Sequence, residues 1–401
     1  MDARVLIWTQ AGLRPAPTGG QRLESANPTT RTDLCADAKD EGMVEQTIRF
    51  CTSRDGVRLA FGMHGTGPPL VRVATWMTHL QHDWDSPLLR HWLDGLAEGR
   101  TLVRYDERGS GLSDRDVTRF SVDAYVEDLE AVVDEVGLER FSLLGLSNAG
   151  AVAIAYAVRH PERVSHLVLC GAFLQGRLRR DPSSRARAEA EALLSLIRVG
   201  WGQANPAFRR TFTTLFVPEA THEQMEWFDE LQRVSASADT AALMRLAREE
   251  VDVSGLLRQV TTSTLVLHAQ DDAAVPFEQG RSLASSIPGA RFVPLEGRNH
   301  ILLADEPAWE VFLRELNAFL PSIPSDEDVA GDLLTPREVE ILRCVAAGMT
   351  NKAIAEQLFL SVRTVERHMG NMYGKLGLEG RSSRAAIAAR AAALIQARPD
   401  A

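Results

Sequence analysis

A serine lies between small residues at the point where an apolar run changes into a helical pattern. In LLGLSNAG (143–150), Ser147 follows a leucine-rich, strand-like run and precedes a helix of small residues. Such a strand-to-helix turn exposes the serine hydroxyl, and it needs small neighbours at Gly145 and Ala149 to avoid collisions. The common form of the pattern is G-x-S-x-G, so Ala149 is a small departure. The segment predicts a nucleophilic serine; the alternative is a serine kept only for the turn.

Two segments further along the chain supply an acid and a base for this serine. In LVLHAQDDAAVP (265–276), Asp272 follows a strand-like run, with Asp271 as the fallback, and His300 follows the last such run. A serine hydroxyl is a poor nucleophile at neutral pH, so His300 would accept its proton while Asp272 orients the ring. The alternatives are an aspartate that shapes a turn and a histidine on a surface loop. The order and spacing of all three residues favour a catalytic set.

The negative charge that develops on the substrate oxygen during acyl transfer requires backbone N–H donors. We expect one from Asn148, directly after the nucleophile, and the other from Trp76, in the loop that follows Ala74. The H-x-x-H-D pattern at 79–83 holds residue types that bind metals, but this chemistry needs no metal. We therefore expect neither a metal nor a cofactor.

These residues need a scaffold, and the chain alternates short apolar runs with longer helical patterns. Such alternation predicts a mostly parallel sheet with helices on both faces, and so an α/β fold. Between Gly171 and Thr264 only helical patterns occur, which predicts a helical cap rather than a 90-residue loop. The expected strands are 46–53, 57–63, 70–74, 101–105, 141–146, 166–171, 264–268 and 291–295.

Residues from about 46 to 320 resemble the α/β-hydrolase family with a helical cap. The resemblance rests on the serine turn, on the order of the acid and the histidine, and on YDERGSGLSD (105–114), which is similar to the family's D-x-R-G-x-G-x-S segment. It implies an α/β-hydrolase-like, mostly parallel sheet and a serine hydrolase site. Where many members carry His-Gly at the start of the oxyanion loop, this chain has Ala74-Thr75, which puts the aim of the Trp76 N–H in question.

A second set of patterns lies near the carboxyl terminus. In LTPREVEILRCVAAG (334–348), Thr335 can cap a helix that Pro336 opens, and Gly348 can end it. A short helix follows from about Asn351 to Leu358, and Ser361 can cap a third helix. In that third helix an apolar stripe, expected to be buried, faces away from a polar stripe, which is typical of a helix-turn-helix. The apolar stripe consists of Val362, Val365, Met369, Met372 and Leu376.

Residues 333–393 resemble the LuxR-type helix-turn-helix family through LTPREVEIL, TNKAIAEQLFLSVRTVERH and MYGKLG. The resemblance implies an all-α domain that binds the major groove of double-stranded DNA, usually as a homodimer with a fourth helix, here about 383–395, at the dimer contact. We expect base contacts from Glu366, Arg367 and Gly370, since Arg suits guanine and Glu suits a cytosine amino group. Phosphate or flanking contacts are expected from Arg363, Thr364, His368, Asn371 and Lys375. The alternative for this polar stripe is a solvated helix face.

The expected organisation is a leader, a large domain, a linker and a small domain. Residues 1–42 show no periodicity, so they are either a disordered leader or a consequence of a start site that belongs at Met43. The α/β-hydrolase-like domain would span 43–320, with its cap at about 172–258. The Pro-bearing, acidic run 321–332 reads as a linker, and the DNA-binding domain would span 333–396.

Charge divides the chain in the same way. The net charge is -10, yet residues 333–401 carry ten basic and six acidic side chains, a balance of +4, which leaves -14 for residues 1–332. A basic tail on an acidic body suits a small nucleic-acid-binding domain. Four scattered cysteines suggest no disulfide framework, and Cys170 and Cys344 are expected to be buried. No apolar run predicts a membrane span or a secretory signal, so the expected location is the cytoplasm.

Three functions follow from these patterns. The first is a transcription regulator whose hydrolase-like domain senses a small molecule. The second is a serine hydrolase of an ester, lactone or similar substrate, whose helix-turn-helix tail localises or regulates it. The third combines them in a receptor that hydrolyses its ligand slowly. The DNA-binding patterns favour regulation, while the complete set of serine, aspartate and histidine keeps hydrolysis open.

Overall fold

The computed structural model of this chain describes residues 46–321, 336–346, 349–358 and 360–375. Eight strands form one sheet in the order β1-β2-β4-β3-β5-β6-β7-β8. β1 and β2 pair antiparallel, as do β2 and β4, and every other pair is parallel. The strands are β1 Thr47–Thr52, β2 Arg58–Gly65, β3 Pro69–Arg72, β4 Thr101–Tyr105, β5 Phe141–Leu146, β6 Val164–Cys170, β7 Ser263–Ala269 and β8 Arg291–Leu295. The predicted α/β class and its strands are confirmed.

Helices cover both faces of the sheet. On β5 the neighbouring residues Leu143 and Leu144 are both fully buried, because successive side chains enter opposite cores. Leu143 packs with helices α3 and α4, and Leu144 packs with the cap and with α2 and α11. The helices outside the cap are α1 Leu80–Trp84, α2 Arg90–Ala97, α3 Val122–Val136, α4 Ala149–Arg159, α10 Phe277–Ser286 and α11 Pro307–Phe319.

The interval between β6 and β7 is a helical cap, as predicted. All of its residues are described, and the only strand-like pairing there is an isolated bridge between Gln175 and Asp252. This bridge joins the first and last parts of the cap. The cap helices are α5 Arg177–Arg180, α6 Ser184–Gly200, α7 Ala207–Phe216, α8 His222–Ser235 and α9 Ala238–Glu249, followed by a 3-10 helix at Ser254–Gln259.

The described part of the C-terminal region contains α12 Pro336–Ala346, α13 Asn351–Gln357 and α14 Val362–Lys375. Thr350 caps α13, and Ser361 caps α14 by accepting a hydrogen bond from Thr364 N at 3.1 Å. This helical arrangement confirms the second half of the predicted fold class. The expected cap at Thr335, the helix end at Gly348, the linker and the fourth helix lie outside the described residues.

The apolar stripe of α14 needs one correction. Val365, Met369 and Met372 are buried as predicted, but Val362 is 41% exposed. Val362 opens the helix, so its side chain precedes the turns that pack on α12 and α13. Leu376 lies outside the described residues.

Candidate active site and nucleic-acid interface

Ser147 sits on a sharp turn between β5 and α4. Its φ of 51° lies in the left-handed region, which is unfavourable for a residue with a side chain. Ser147 N donates to Cys170 O at 3.0 Å, which fixes the turn against β6. A Cβ added at Gly145 would lie 2.8 Å from Gly150 Cα and 2.9 Å from Ala153 Cβ. The turn therefore needs glycine at position 145, and the fully buried Ala149 fits where a larger side chain would not.

Asp272 and His300 form a buried pair. His300 Nδ1 and Asp272 Oδ2 are 2.7 Å apart, and both side chains are at most 3% exposed. The other carboxylate oxygen accepts from Ala274 N and Val275 N. Although burial alone would raise it, the pKa of Asp272 is lowered, because the neighbouring His300 and these hydrogen bonds stabilise the carboxylate. Asp271, the fallback acid, is exposed and does not contact His300.

Gly171, which sequence analysis did not single out, makes room for this histidine. Its φ is +56°, and an added Cβ would lie 3.1 Å from His300 Cε1 and 3.2 Å from its Nδ1. The residue follows β6 directly, so the sheet edge and the histidine loop can approach closely. A glycine at the carboxyl end of a buried strand was the available signal.

Ser147 and His300 line the same cavity, which has a volume of about 160 Å³. The walls come from the β5–α4 turn, from the loop after β3 and from the cap helices, with Trp92, Phe212 and Phe228 among the apolar residues. Within the described part of the chain, no hydrogen bond yet joins the Ser147 hydroxyl to His300. Such bonds are often long in unliganded enzymes and tighten when substrate binds.

One of the two expected oxyanion donors, the Trp76 N–H, has a hydrogen-bond partner that sequence analysis did not predict. Trp76 N donates to the side-chain oxygen Oδ1 of Asn148 at 3.3 Å. Asn148 and Trp76 are only 8% and 7% exposed, and the indole of Trp76 stacks on Trp201 at 5.5 Å. The loop carrying Ala74-Thr75 thus aims the Trp76 N–H toward the residue after Ser147. An amide oxygen of the protein therefore accepts from this donor.

The D-E-R-G loop connects the sheet to the cap. Glu107 accepts a two-point ion pair from Arg248 of α9, with one N–O distance of 2.6 Å. Arg108 binds Asp128 at 2.6 Å, and both side chains are almost fully buried. Asp106 accepts from Leu112 N at 2.8 Å, and burial raises the pKa of Asp106 to about 7. The loop is therefore a rigid connection beside the site, a role that its motif alone did not reveal.

The H-x-x-H-D pattern has structural partners. His79 Nδ1 caps α1 by accepting from His82 N at 3.2 Å, and His82 stacks on Trp227 at 3.9 Å. Asp83 lies 3.4 Å from Arg104. In the described ranges, no group of three or more His, Cys, Asp or Glu residues is placed to hold a metal ion.

The polar stripe of α14 faces solvent. Arg363, Glu366, Arg367, Gly370 and Asn371 are exposed, while Thr364 and His368 are half-buried. Lys375 ends the helix, and its side chain is outside the described set. A Cβ added at Gly370 would meet no atom within 4 Å, so packing within the described residues does not demand glycine there. Its cost in helix stability, about 1 kcal/mol relative to alanine, suits a site where another molecule approaches closely.

The cysteines of the described residues are buried free thiols. Cys170 and Cys344 are buried, as predicted, and so is Cys51. None of the described helices combines the length and apolar character that crossing a bilayer demands.

Comparison with known proteins assigns both regions. Residues 77–307 match the alpha/beta hydrolase fold family, and residues 332–388 match the luxR family of bacterial regulatory proteins. A pyrrolizixenacetamide deacetylase from Xenorhabdus hominickii is 26% identical over 66% of this chain and 95% of its own length. An esterase from Exiguobacterium antarcticum is 26% identical with a TM-score of 0.56, covering 67% of this chain and 98% of its own. A bromoperoxidase from Bacillus anthracis, 21% identical over 68% of this chain and 99% of its own, shares the fold with a TM-score of 0.59.

Proposed function

The chain belongs to the alpha/beta hydrolase fold family and carries a luxR-family helix-turn-helix domain that binds DNA, and from this premise we propose a regulator that hydrolyses its own small-molecule signal slowly. One observation carries the proposal. A cavity lined by Ser147 and by the Asp272-paired His300 occurs in the same chain as α14, a helix with an exposed polar stripe. A free metabolic enzyme has no use for such a helix.

The proposed chemistry is acyl transfer. Ser147 attacks a carbonyl carbon while His300 accepts its proton, and the bond to the leaving group breaks when His300 returns that proton. Asp272 holds the proton of His300 on Nδ1 and stabilises the imidazolium. Water then repeats the sequence on the acyl-serine. The N–H groups of Trp76 and Asn148 receive the oxyanion, which requires the Asn148 side chain to turn away first.

Removing that side chain tests the last requirement. We expect Asn148→Ala to speed the labelling of Ser147 by a fluorophosphonate by about 2- to 10-fold, because a neutral hydrogen bond contributes about 0.5–1.5 kcal/mol. The measurement is the second-order labelling rate from mass spectrometry. Asn299→Ala is a poor control, since Asn299 bonds Glu306 in the core, so we choose the exposed Asn205→Ala. Slower labelling of the Asn148 variant would contradict the claim that the Asn148 side chain competes with the oxyanion for the Trp76 N–H.

A serine hydrolase with a regulatory tail is the second candidate. It is favoured by the buried Asp272–His300 pair and by the strained backbone at Ser147, features that simple ligand binding does not require. The two candidates differ in what the C-terminal domain does when the cavity is filled. A regulator changes its DNA affinity, whereas an enzyme with a localising tail does not.

Several finer features belong to the same proposal. We assign the body to 43–320, the cap to 172–258, the linker to 321–332 and the DNA-binding domain to 333–396, with a homodimer as the DNA-binding species. In α14, Glu366, Arg367 and Gly370 face bases, while Arg363, Thr364, His368, Asn371 and Lys375 contact phosphates or flank them. The modest basic balance of the tail makes dimer formation necessary for tight binding and predicts a steep salt dependence.

Selection of genomic fragments by the purified full chain tests the regulatory function. We expect enrichment of a discrete set of fragments that contain two related half-sites about one helical turn, roughly 34–36 Å, apart. The selection is run with and without a cell extract as the source of ligand. Recovery of fragments at the frequencies of the starting pool in both arms would remove the regulatory function.

A further inference from the structure

Five arginines line the cavity that holds Ser147, and three of them are neutralised by carboxylates. Arg248 pairs with Glu107 at 2.6 Å, Arg245 with Glu249 at 2.7 Å, and Arg177 with Glu189 at 3.3 Å. The other two are Arg72 and Arg180. The cavity wall therefore carries positive charge beyond what its own ion pairs balance.

Arg72 is the more deeply placed of these two. It ends strand β3, is 8% exposed, and lines the cavity together with Ser147. None of its guanidinium nitrogens bonds to, or lies within 4 Å of a carboxylate of, any residue that the structure describes. Asp83, also on the cavity wall, attracts Arg72 electrostatically, but its ion pair, at 3.4 Å, is with Arg104.

Arg72 borders both the 160 Å³ cavity and a void of about 10 Å³ beside Asp83 and Arg104. Its guanidinium has five N–H donors that can bind a ligand, and the largely apolar surroundings strengthen their attraction for an anion. Burial lowers the pKa of Arg72 to about 10, so the side chain stays positively charged at neutral pH. Such a group is stabilised when an anion enters the cavity.

The geometry points to a ligand that carries one carboxylate, bound by Arg72, with its acyl carbon facing Ser147. The inference deepens the proposed function by naming the ligand class. A planar guanidinium matches a carboxylate through two parallel hydrogen bonds. The remaining wall is largely apolar, with Trp92, Phe212 and Phe228, which disfavours a doubly charged phosphate.

Arg180 adds positive charge beside the same cavity. It is half-buried, and its Nη1 donates to the carbonyl of Gln175 at 3.4 Å. Together with Arg177 it lines both this cavity and an adjacent pocket bounded by Ala273 and Pro276. The positive charge of Arg180 is partly offset by Asp181 and Glu249, and what remains attracts anions toward the cavity.

Calorimetric titration with straight-chain monocarboxylates, butanoate to decanoate, and with the matching primary amides tests the inference. The protein is the full chain with Ser147→Ala, which cannot turn over the amide, so the result is independent of whether the wild type hydrolyses anything. We expect the best carboxylate to bind about 10- to 100-fold more tightly than its amide, the range of a charge-assisted hydrogen bond. Adding Arg72→Met should abolish this preference, whereas Arg72→Lys should keep part of it.

Arg187→Met is the matched control, because Arg187 is exposed on the cap helix α6 and does not line the cavity. It should leave the preference unchanged. The inference is overturned if no carboxylate binds more tightly than its amide. It is also overturned if the preference survives Arg72→Met but is lost in Arg180→Met. The comparison of carboxylate with amide needs no substitution at Arg72, so it still tests the inference if an Arg72 variant misfolds.

Discussion

Ser147→Ala abolishes covalent labelling by a fluorophosphonate and lowers the hydrolysis of an activated ester by about 10⁴- to 10⁶-fold, as expected for loss of a triad nucleophile. The reason is geometric: the turn between β5 and α4 pushes this hydroxyl into the cavity that His300 also lines. The measurement is intact-protein mass spectrometry for labelling and steady-state kinetics for hydrolysis. We expect Ser195→Ala to behave as wild type, since Ser195 lies on an exposed cap helix and bonds the carbonyl of Glu191.

A glycine variant separates catalysis from folding at the same position. Ser147→Gly should also lose labelling, yet it should resist urea better than Ser147→Ala by about 1 kcal/mol, because glycine removes the steric cost of the left-handed backbone, and this gain exceeds its larger entropic cost of folding. Labelling that persists in Ser147→Ala assigns the nucleophile elsewhere. A folded wild type that never labels removes the hydrolytic step and leaves a receptor.

Arg367→Ala weakens binding to the selected DNA by about 1–3 kcal/mol, or roughly 5- to 150-fold, and relaxes the sequence preference at one position of each half-site. Arg367 is exposed on α14, less than two turns after the Ser361 cap, in the N-terminal half of the helix that a recognition helix presents to base edges. The measurement is a fluorescence titration on the selected site and on single-base variants of it. A cost confined to one base position identifies a base contact.

Arg363→Ala provides the contrast for that experiment. If Arg363 contacts a phosphate, its loss should weaken binding evenly across sequences and reduce the salt slope by about one. An unchanged footprint and affinity for Arg367→Ala excludes the base contact and supports the alternative of a solvated helix face.

Local patterns were enough to predict most of the scaffold. The inner strands β3 to β7 are short apolar runs whose two faces are both largely buried, and the positions of all eight strands could be predicted within about two residues. Strand β3 ends at Arg72 rather than at the predicted position 74, because the chain turns there into the loop that carries Trp76. The predicted burial of Val362 was wrong, because the apolar periodicity continues past the point where the neighbouring helices end.

Contacts between distant residues could not be predicted from such patterns. The 2.7 Å contact with His300 distinguishes Asp272 from Asp271, and no local pattern indicates that contact. The bond from Trp76 to the Asn148 side chain joins residues 72 positions apart, and the ion pair of Glu107 with Arg248 joins residues 141 apart. Nothing in either local sequence indicates these partners. Likewise, only the assembled cavity shows that no carboxylate of the described residues forms an ion pair with Arg72.

The proposed regulation depends on a coupling between the cavity and the DNA-binding helix. A ligand can shift the affinity for DNA only by binding one state of the chain more tightly than another, and such couplings usually amount to about 1–3 kcal/mol. The acidic body and the basic tail belong to one chain, so the effect is measured on the full protein.

The most direct test measures the affinity for a selected DNA fragment before and after Ser147 is covalently occupied by a phosphonate with a carboxylate side arm. We predict a change of at least about 5-fold in the dissociation constant, typical of the lower end of allosteric coupling. The Ser147→Ala chain treated in the same way should show no change. Equal affinities for the free and the fully labelled wild type, over the whole salt titration, would contradict the claim that the cavity governs DNA binding.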